Sequence, residues 1–242
     1  MHRFILSTLL VLVTTIGFAQ TPAPSKAKSK ARRLPNPAFA PIQDEAGLPR
    51  VLLIGDSISI GYTMAVRELL KGKANVHRIP TNGGPTTNGM KSIQAWLGTS
   101  KWDVIHFNWG LHDLKYIMDD PSKRADPKAP GAHHQVSLLD YEKNLTALVT
   151  KLKSTGAQLI WCNTTPVPEG SDGRIVGEEQ AFNEAAARVM KAAGVPTNDL
   201  HSHAKAKLSE VQLPANVHFS PEGSKYLATQ VATSIEGFLT KK

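Results

Sequence analysis

The sequence predicts an α/β fold: a parallel five-stranded sheet with helices on both faces. Three observations predict it. Short continuous apolar runs recur along the chain and end at turn residues. Stretches with helical apolar spacing alternate with those runs. With 242 residues, 41% of them hydrophobic and 20% charged, the chain can bury such a sheet in one core, and it shows no internal repeat and no second core.

Residues 51–54 (Val-Leu-Leu-Ile), running into Gly55, read as a buried first strand. Residues 60–71 follow with helical spacing of Ile60, Met64, Leu69 and Leu70. Residues 76–79 and 104–107 are the second and third strands. Residues 141–153 form a helix with Leu145, Leu148, Val149 and Leu152 on one face and Gly156 as its stop. Residues 158–162 are the fourth strand, and Trp102 and Trp161 are assigned to the core. A helix over 178–193 turns Phe182, Val189 and Met190 inward and ends at Gly194, and a short fifth strand lies within 195–200. The last helix has the clearest start: Ser220 as N-cap, Pro221 in the first position, Glu222 at the positive end of the dipole. Residues 116–137 are polar, contain proline and exceed an ordinary connection, which marks a candidate functional loop.

The domain covers 49–240. Residues 1–19 have the form of a signal peptide, with His2 and Arg3 before an apolar run and small Gly17 and Ala19 ahead of a cut before Gln20. Residues 20–48, rich in Pro, Ala, Lys and Ser, read as a flexible basic linker. The expected location is periplasmic or secreted. Net charge is +8, but six basic groups lie before residue 47 against two acidic ones, so the charge count predicts neither a basic groove nor a nucleic-acid partner. The single cysteine, Cys162, excludes an internal disulfide framework. His201-x-His203 and His133-His134 lack Cys or carboxylate support at helical spacing and are taken as exposed, so no metal or cofactor is expected.

Ligands of parallel sheets bind at the carboxyl ends of strands, so the segments after each strand carry the functional reading. Gly55-Asp56-Ser57-Ile58 places Ser57 at a strand-to-helix turn, where its hydroxyl is either a plain N-cap or a nucleophile, and its N–H faces outward. Asn82-Gly83-Gly84-Pro85 offers the Gly84 N–H for close approach to a substrate oxygen. Asn108-Trp109-Gly110-Leu111-His112-Asp113 offers Asn108 or His112 as oxyanion donors, Asp113 to hold the turn or bind substrate, and Trp109 either as core or as a stacking surface for a sugar. Asn216-Val217-His218 sets a histidine just before the last helix.

Together these four blocks resemble the SGNH hydrolases, the Gly-Asp-Ser-Leu type of esterases and lipases, over about residues 50–240. The resemblance implies a flavodoxin-like three-layer α/β/α sandwich and ester hydrolysis through an acyl-enzyme. Ser57 is then the nucleophile, His218 the base, and the N–H groups of Ser57 and Gly84 with His112 or Asn108 the oxyanion donors. Two departures stand out. The family's Asp-x-x-His has Ala215 at its acidic position, leaving Asn216 as the nearest polar partner for His218, and His112 replaces the expected Asn. The expected function is that of an exported serine esterase acting on O-acyl, above all O-acetyl, esters of small molecules or polysaccharides, with no membrane contact after signal cleavage. A lipase or acyl-thioester hydrolase on the same scaffold, and a non-catalytic carbohydrate-binding protein, are the alternatives.

Overall fold

A computed structural model describes residues 36–239; the expected signal peptide 1–19 and the linker residues 20–35 lie outside the described residues. Strands β1 (Arg50–Ile54), β2 (Asn75–Arg78), β3 (Val104–Phe107), β6 (Gln158–Cys162) and β7 (Thr197–Asn198) form one parallel sheet in the order β2-β1-β3-β6-β7. That is the flavodoxin-like order, and it puts the topological switch between β1 and β3. Val51 to Ile54 are buried, as a strand covered on both faces requires. Parallel strands need crossovers, and helices supply them: α1 (Ser57–Leu69), α2 (Thr86–Leu97), α3 (Leu138–Lys153) and α4 (Glu178–Ala193). After two short helices, α5 (Leu200–Lys205) and α6 (Leu208–Val211), the fold closes with α7 (Pro221–Leu239). α1 packs on α7, while α2, α3 and α4 pack in sequence against one another.

Ser220 caps α7 as expected, its Oγ accepting from the Gly223 N–H at 2.9 Å. Gly223 has to be glycine, because a Cβ there would sit 2.0 Å from the Val211 carbonyl oxygen. The fold differs from the sequence reading in three places. α2 had no counterpart, because its buried stripe is Thr86, Gly89, Ile93 and Leu97, and half of that stripe is not apolar. The long 116–137 segment folds into a small antiparallel hairpin of β4 (Tyr116–Ile117) and β5 (His133–His134).

The third difference corrects the linker boundary: residues 36–48 are part of the fold. Ala38 is buried. Arg67 donates to the carbonyls of Pro37 (3.2 Å) and Ala40 (3.3 Å). The buried Asn75 side chain accepts from the Glu45 N–H at 2.8 Å and donates to the carbonyls of Glu45 and Leu48. Asp44 bridges Arg50 and His77.

Candidate active site

The site lies at the carboxyl ends of β1, β2 and β3. Asp56 caps α1 through its carboxylate, which accepts from the Ile58 N–H at 2.9 Å. Ser57 is thereby the first residue of the helix, and its own N–H has no hydrogen-bond partner among the described residues. Such an N–H, at the positive end of a helix, is suited to receive an anionic oxygen.

Ser57 Oγ lies 2.8 Å from His218 Nε2. Asn216 Oδ1 lies 2.7 Å from His218 Nδ1 and also accepts the His218 backbone N–H at 3.0 Å. A backbone N–H can only donate, so the Asn216 atom facing it is the carbonyl oxygen. The Nδ1 atom on the same oxygen must then carry a hydrogen. The tautomer follows: Nδ1–H donates to Asn216, and Nε2 is left to accept from the Ser57 hydroxyl. The nucleophile and base read from the sequence are thus brought together. The missing Asp-x-x-His carboxylate is replaced by an amide one position closer, which reaches the ring by folding back in an Asx turn. Ala215, at the vacated acidic position, has φ 51°, a left-handed conformation that lets the chain turn there.

Of the two alternatives for the side-chain oxyanion donor, His112 lines the cavity that contains Ser57 and His218, and Asn108 does not. Asn108 Nδ2 instead donates to the Cys162 carbonyl at 2.8 Å, tying the end of β3 to β6. The Gly84 expectation also needs correction. Its N–H donates to Asn82 Oδ1 at 2.9 Å, and Asn82, not Gly84, lines the cavity. Trp109 is 1% exposed and belongs to the core, so it offers no surface to a sugar. Asp113 is not a substrate ligand either. Fully buried, it accepts from Thr86 N–H (2.8 Å) and Thr86 Oγ1 (2.5 Å), and so clamps the second and third loops together. Burial pushes its carboxyl up to about 7 against the lowering effect of the Thr86 bonds.

One residue that the sequence reading left without a role is Arg78. Its guanidinium is buried beneath the nucleophile turn and donates to the carbonyls of Ile79, Thr81, Gly55 and Asp56 and to Ser59 Oγ. Burial lowers its pKa to about 10, which leaves it charged at neutral pH. Ser59, which stands where an esterase elbow has a second glycine, earns its place by donating to the Asp56 carbonyl and accepting from Arg78. Gly55 must be glycine beneath it, since a Cβ would approach Ser59 Oγ to 2.9 Å.

The cavity in front of Ser57 measures about 410 Å³. Burial holds the pKa of His218 below the ordinary value; nearby Asp56 opposes this, and Arg174 and Arg124 reinforce it. His112 is lowered first by burial too, again with Asp56 opposing and Arg174, Lys115 and Arg124 reinforcing. Both imidazoles are therefore neutral at neutral pH, as a general base and a neutral donor must be. A larger open concavity of about 760 Å³ beside the hairpin contains neither Ser57 nor His218, and the Ser57–His218 pair lies in the smaller one. Neither histidine pair is simply exposed: His134 contacts Glu178 (3.1 Å) and His201 contacts the buried Glu179 (3.2 Å). No cluster of three potential metal ligands occurs among the described residues.

Comparison with known proteins bears on the family and the fold. The profile of the GDSL-like Lipase/Acylhydrolase family matches residues 53–226. A search of curated protein sequences finds no match. Among solved structures, the chain is similar to a lipase/acylhydrolase from Enterococcus faecalis, with TM-score 0.64 and 18% identity over 78% of this chain and 96% of that one. It is similar to the acetyl xylan esterase AlAXEase, with TM-score 0.62 and 14% identity over 77% of this chain and 99% of that one. A catalytic mutant of Axe2, an acetylxylan esterase from Geobacillus stearothermophilus, gives TM-score 0.62 and 15% identity over 77% and 94%. At such identities the likeness is one of fold.

Proposed function

We propose that this chain, which belongs to the GDSL-like lipase/acylhydrolase family, is a serine ester hydrolase that removes small acyl groups, acetyl above all, from carbohydrate. The observation that carries the reading is the Ser57–His218–Asn216 relay, with its 2.8 and 2.7 Å contacts and a tautomer fixed by the backbone. Ser57 Oγ attacks the ester carbonyl carbon while His218 Nε2 takes its proton. The tetrahedral oxyanion is received by the Ser57 N–H and His112. Collapse expels the alcohol, to which His218 returns the proton. Water then attacks the acyl-enzyme with His218 again as base, which releases the acid and restores the Ser57 hydroxyl.

Two features support a short acyl group on a polar alcohol. Two of the similar structures are of acetylxylan esterases, and the cavity at Ser57 is walled largely by polar and charged side chains, which suits a sugar better than a fatty chain. The N-terminal segment has the form of an export signal, so the proposed setting is outside the cytoplasm.

The test is hydrolysis of para-nitrophenyl acetate and of acetylated xylan by wild type and Ser57→Ala. The expected result is loss of at least about 10³-fold in turnover with an unchanged melting midpoint, since the hydroxyl is a reagent and not a packing group. Turnover that survives in the variant would remove Ser57 from the mechanism.

A further inference from the structure

Charge inside the catalytic cavity is distributed in a way that ester hydrolysis alone does not require. Arg174, Lys115 and Arg124 all line it. Arg124 has a partner, Asp172, at 2.6 Å. Arg174 has none: among the described residues no carboxylate lies within ion-pair distance of it. Its Nε and Nη2 donate to the Leu111 carbonyl at 3.0 and 2.6 Å, and Nη1 donates weakly to the Asp172 carbonyl at 3.4 Å. Of the five guanidinium N–H groups, one on each Nη is left without an acceptor. Lys115 is only 9% exposed, and among the described residues its ammonium has the Pro121 carbonyl as its single partner, at 3.1 Å. Ser171 lines the same cavity, is 7% exposed, and its hydroxyl has no hydrogen-bond partner among the described residues.

Gathering cations in a half-buried cavity without direct ion-pair partners is costly. A purely structural role accounts for the Leu111 bonds of Arg174, but not for its two open N–H groups, nor for Lys115 and Ser171 beside them. The negative groups whose charge acts on Arg174 are Asp56, committed to capping α1, and Asp172, committed to Arg124. What would satisfy the open donors of all three side chains is an oxyanion with several lone pairs, of the kind that arginine recognises in a fork.

We propose that Arg174, Lys115 and Ser171 form an anion subsite, and that the ester cleaved at Ser57 carries a carboxylate or comparable oxyanion close to the ester bond. This rests on the hydrolase reading above. The anion belongs either to the alcohol half, as in an acetylated uronic acid, or to the acyl half, as in the monoester of a dicarboxylic acid. The substrates below separate these two sources.

The experiment compares kcat/KM for an acetylated methyl glucuronoside with that for the acetylated methyl glucoside, and for para-nitrophenyl hemisuccinate with that for para-nitrophenyl butyrate. Wild type, Arg174→Gln and Lys115→Gln are each measured. The expected result is a preference of about tenfold or more for the anionic member of one pair, as a charge-assisted hydrogen bond gives. That ratio should fall toward unity in both variants. Lys115→Gln leaves the Leu111 bonds intact, so it carries the test if Arg174→Gln disturbs the fold. Ratios near unity in wild type, with the neutral esters hydrolysed, would overturn the subsite and leave the esterase reading standing. If no ester is cleaved, the esterase reading falls, and calorimetric binding of methyl glucuronoside and of succinate to wild type and Lys115→Gln judges the subsite. Binding weakened about tenfold by the substitution supports it, and the absence of binding, or equal binding by both proteins, overturns it.

Discussion

Replacing Asn216 by Asp should make the protein a faster esterase. In a serine protease, exchanging the acidic member of the triad for an amide lowers kcat by about 10⁴, chiefly because the histidine is left in the wrong tautomer. That penalty does not apply here, because the backbone N–H of His218 orients the amide and Nδ1–H already donates to Asn216 Oδ1. Only the negative charge is missing. In Asn216→Asp the oxygen that holds both N–H groups is retained, and the Asn216 Nδ2 being replaced donates to nothing among the described residues, so no hydrogen bond is lost. A carboxylate about 4 Å from the imidazolium that forms during attack is worth about 1 kcal/mol in water and about 4 kcal/mol at an effective dielectric of 20. Residue 216 is exposed, which places the gain near the lower end, at about 1–2 kcal/mol, or roughly 5- to 30-fold in kcat/KM. The same charge raises the His218 pKa, so the gain must be read at pH 8, above the shifted acid limb. The assay is a pH profile of kcat/KM on para-nitrophenyl acetate for both proteins, with melting midpoints as control. A folded variant whose plateau is equal to or lower than wild type would refute the reasoning. It would mean either that His218 acquires no charge in the transition state or that the amide is itself required.

In wild type, the acid limb of kcat/KM should fall below 6.5, because burial favours the neutral His218 that acts as base; a limb above 6.5 would mean that the field of Asp56 outweighs burial. A chain beginning at residue 49 should be less stable than one beginning at residue 36 by about 2–4 kcal/mol, since the buried Asn75 amide loses its partners; equal melting midpoints would show that residues 36–48 contribute nothing. Arg78→Lys should lower kcat by about tenfold or more, because a single ammonium cannot serve the five acceptors beneath the nucleophile turn; full turnover at an unchanged melting midpoint would reduce Arg78 to a packing group.

The centre of the sheet was legible because β1 and β6 are buried on both faces and read as unbroken apolar runs over Val51 to Ile54 and Leu159 to Cys162. α2 was not, because it seats a threonine and a glycine where a periodic pattern needs large side chains; Gly89 is there to let Trp109 approach, and a Cβ at 89 would lie 2.8 Å from its ring. The same contact explains why the sequence left Trp109 open between core and sugar surface: its neighbour in space is 20 residues away in sequence and has no side chain to announce it. Ser57, Asn216 and His218 were legible because each lies within a few residues of a strand end or helix start, where local chemistry fixes orientation. Arg78, Arg174 and Lys115 were not. A lone basic residue in a strand or loop looks solvated on paper, and only the fold reveals that Arg78 is capped by carbonyls and that the other two face the nucleophile. The Gly84 expectation failed for a related reason: whether a loop N–H is open depends on where a side chain two residues away, Asn82, comes to rest.

The distance that defines the site joins Ser57, at the start of the first helix, to His218, just ahead of the last, across 161 residues of chain. At the usual pace of synthesis, roughly 5–20 residues per second, the nucleophile waits on the order of ten to thirty seconds for its base to be made. During that interval β2, β3, β6 and β7 are still being made, and Ser57 is an ordinary alcohol with no partner to take its proton. On the proposed reading a nascent or partly folded chain therefore cannot hydrolyse the esters around it, and turnover begins only when the residues leading into α7 arrive and dock. On that reading hydrolytic activity becomes a report on the last stage of assembly, silent for every shorter chain that lacks α7 and the turn before it.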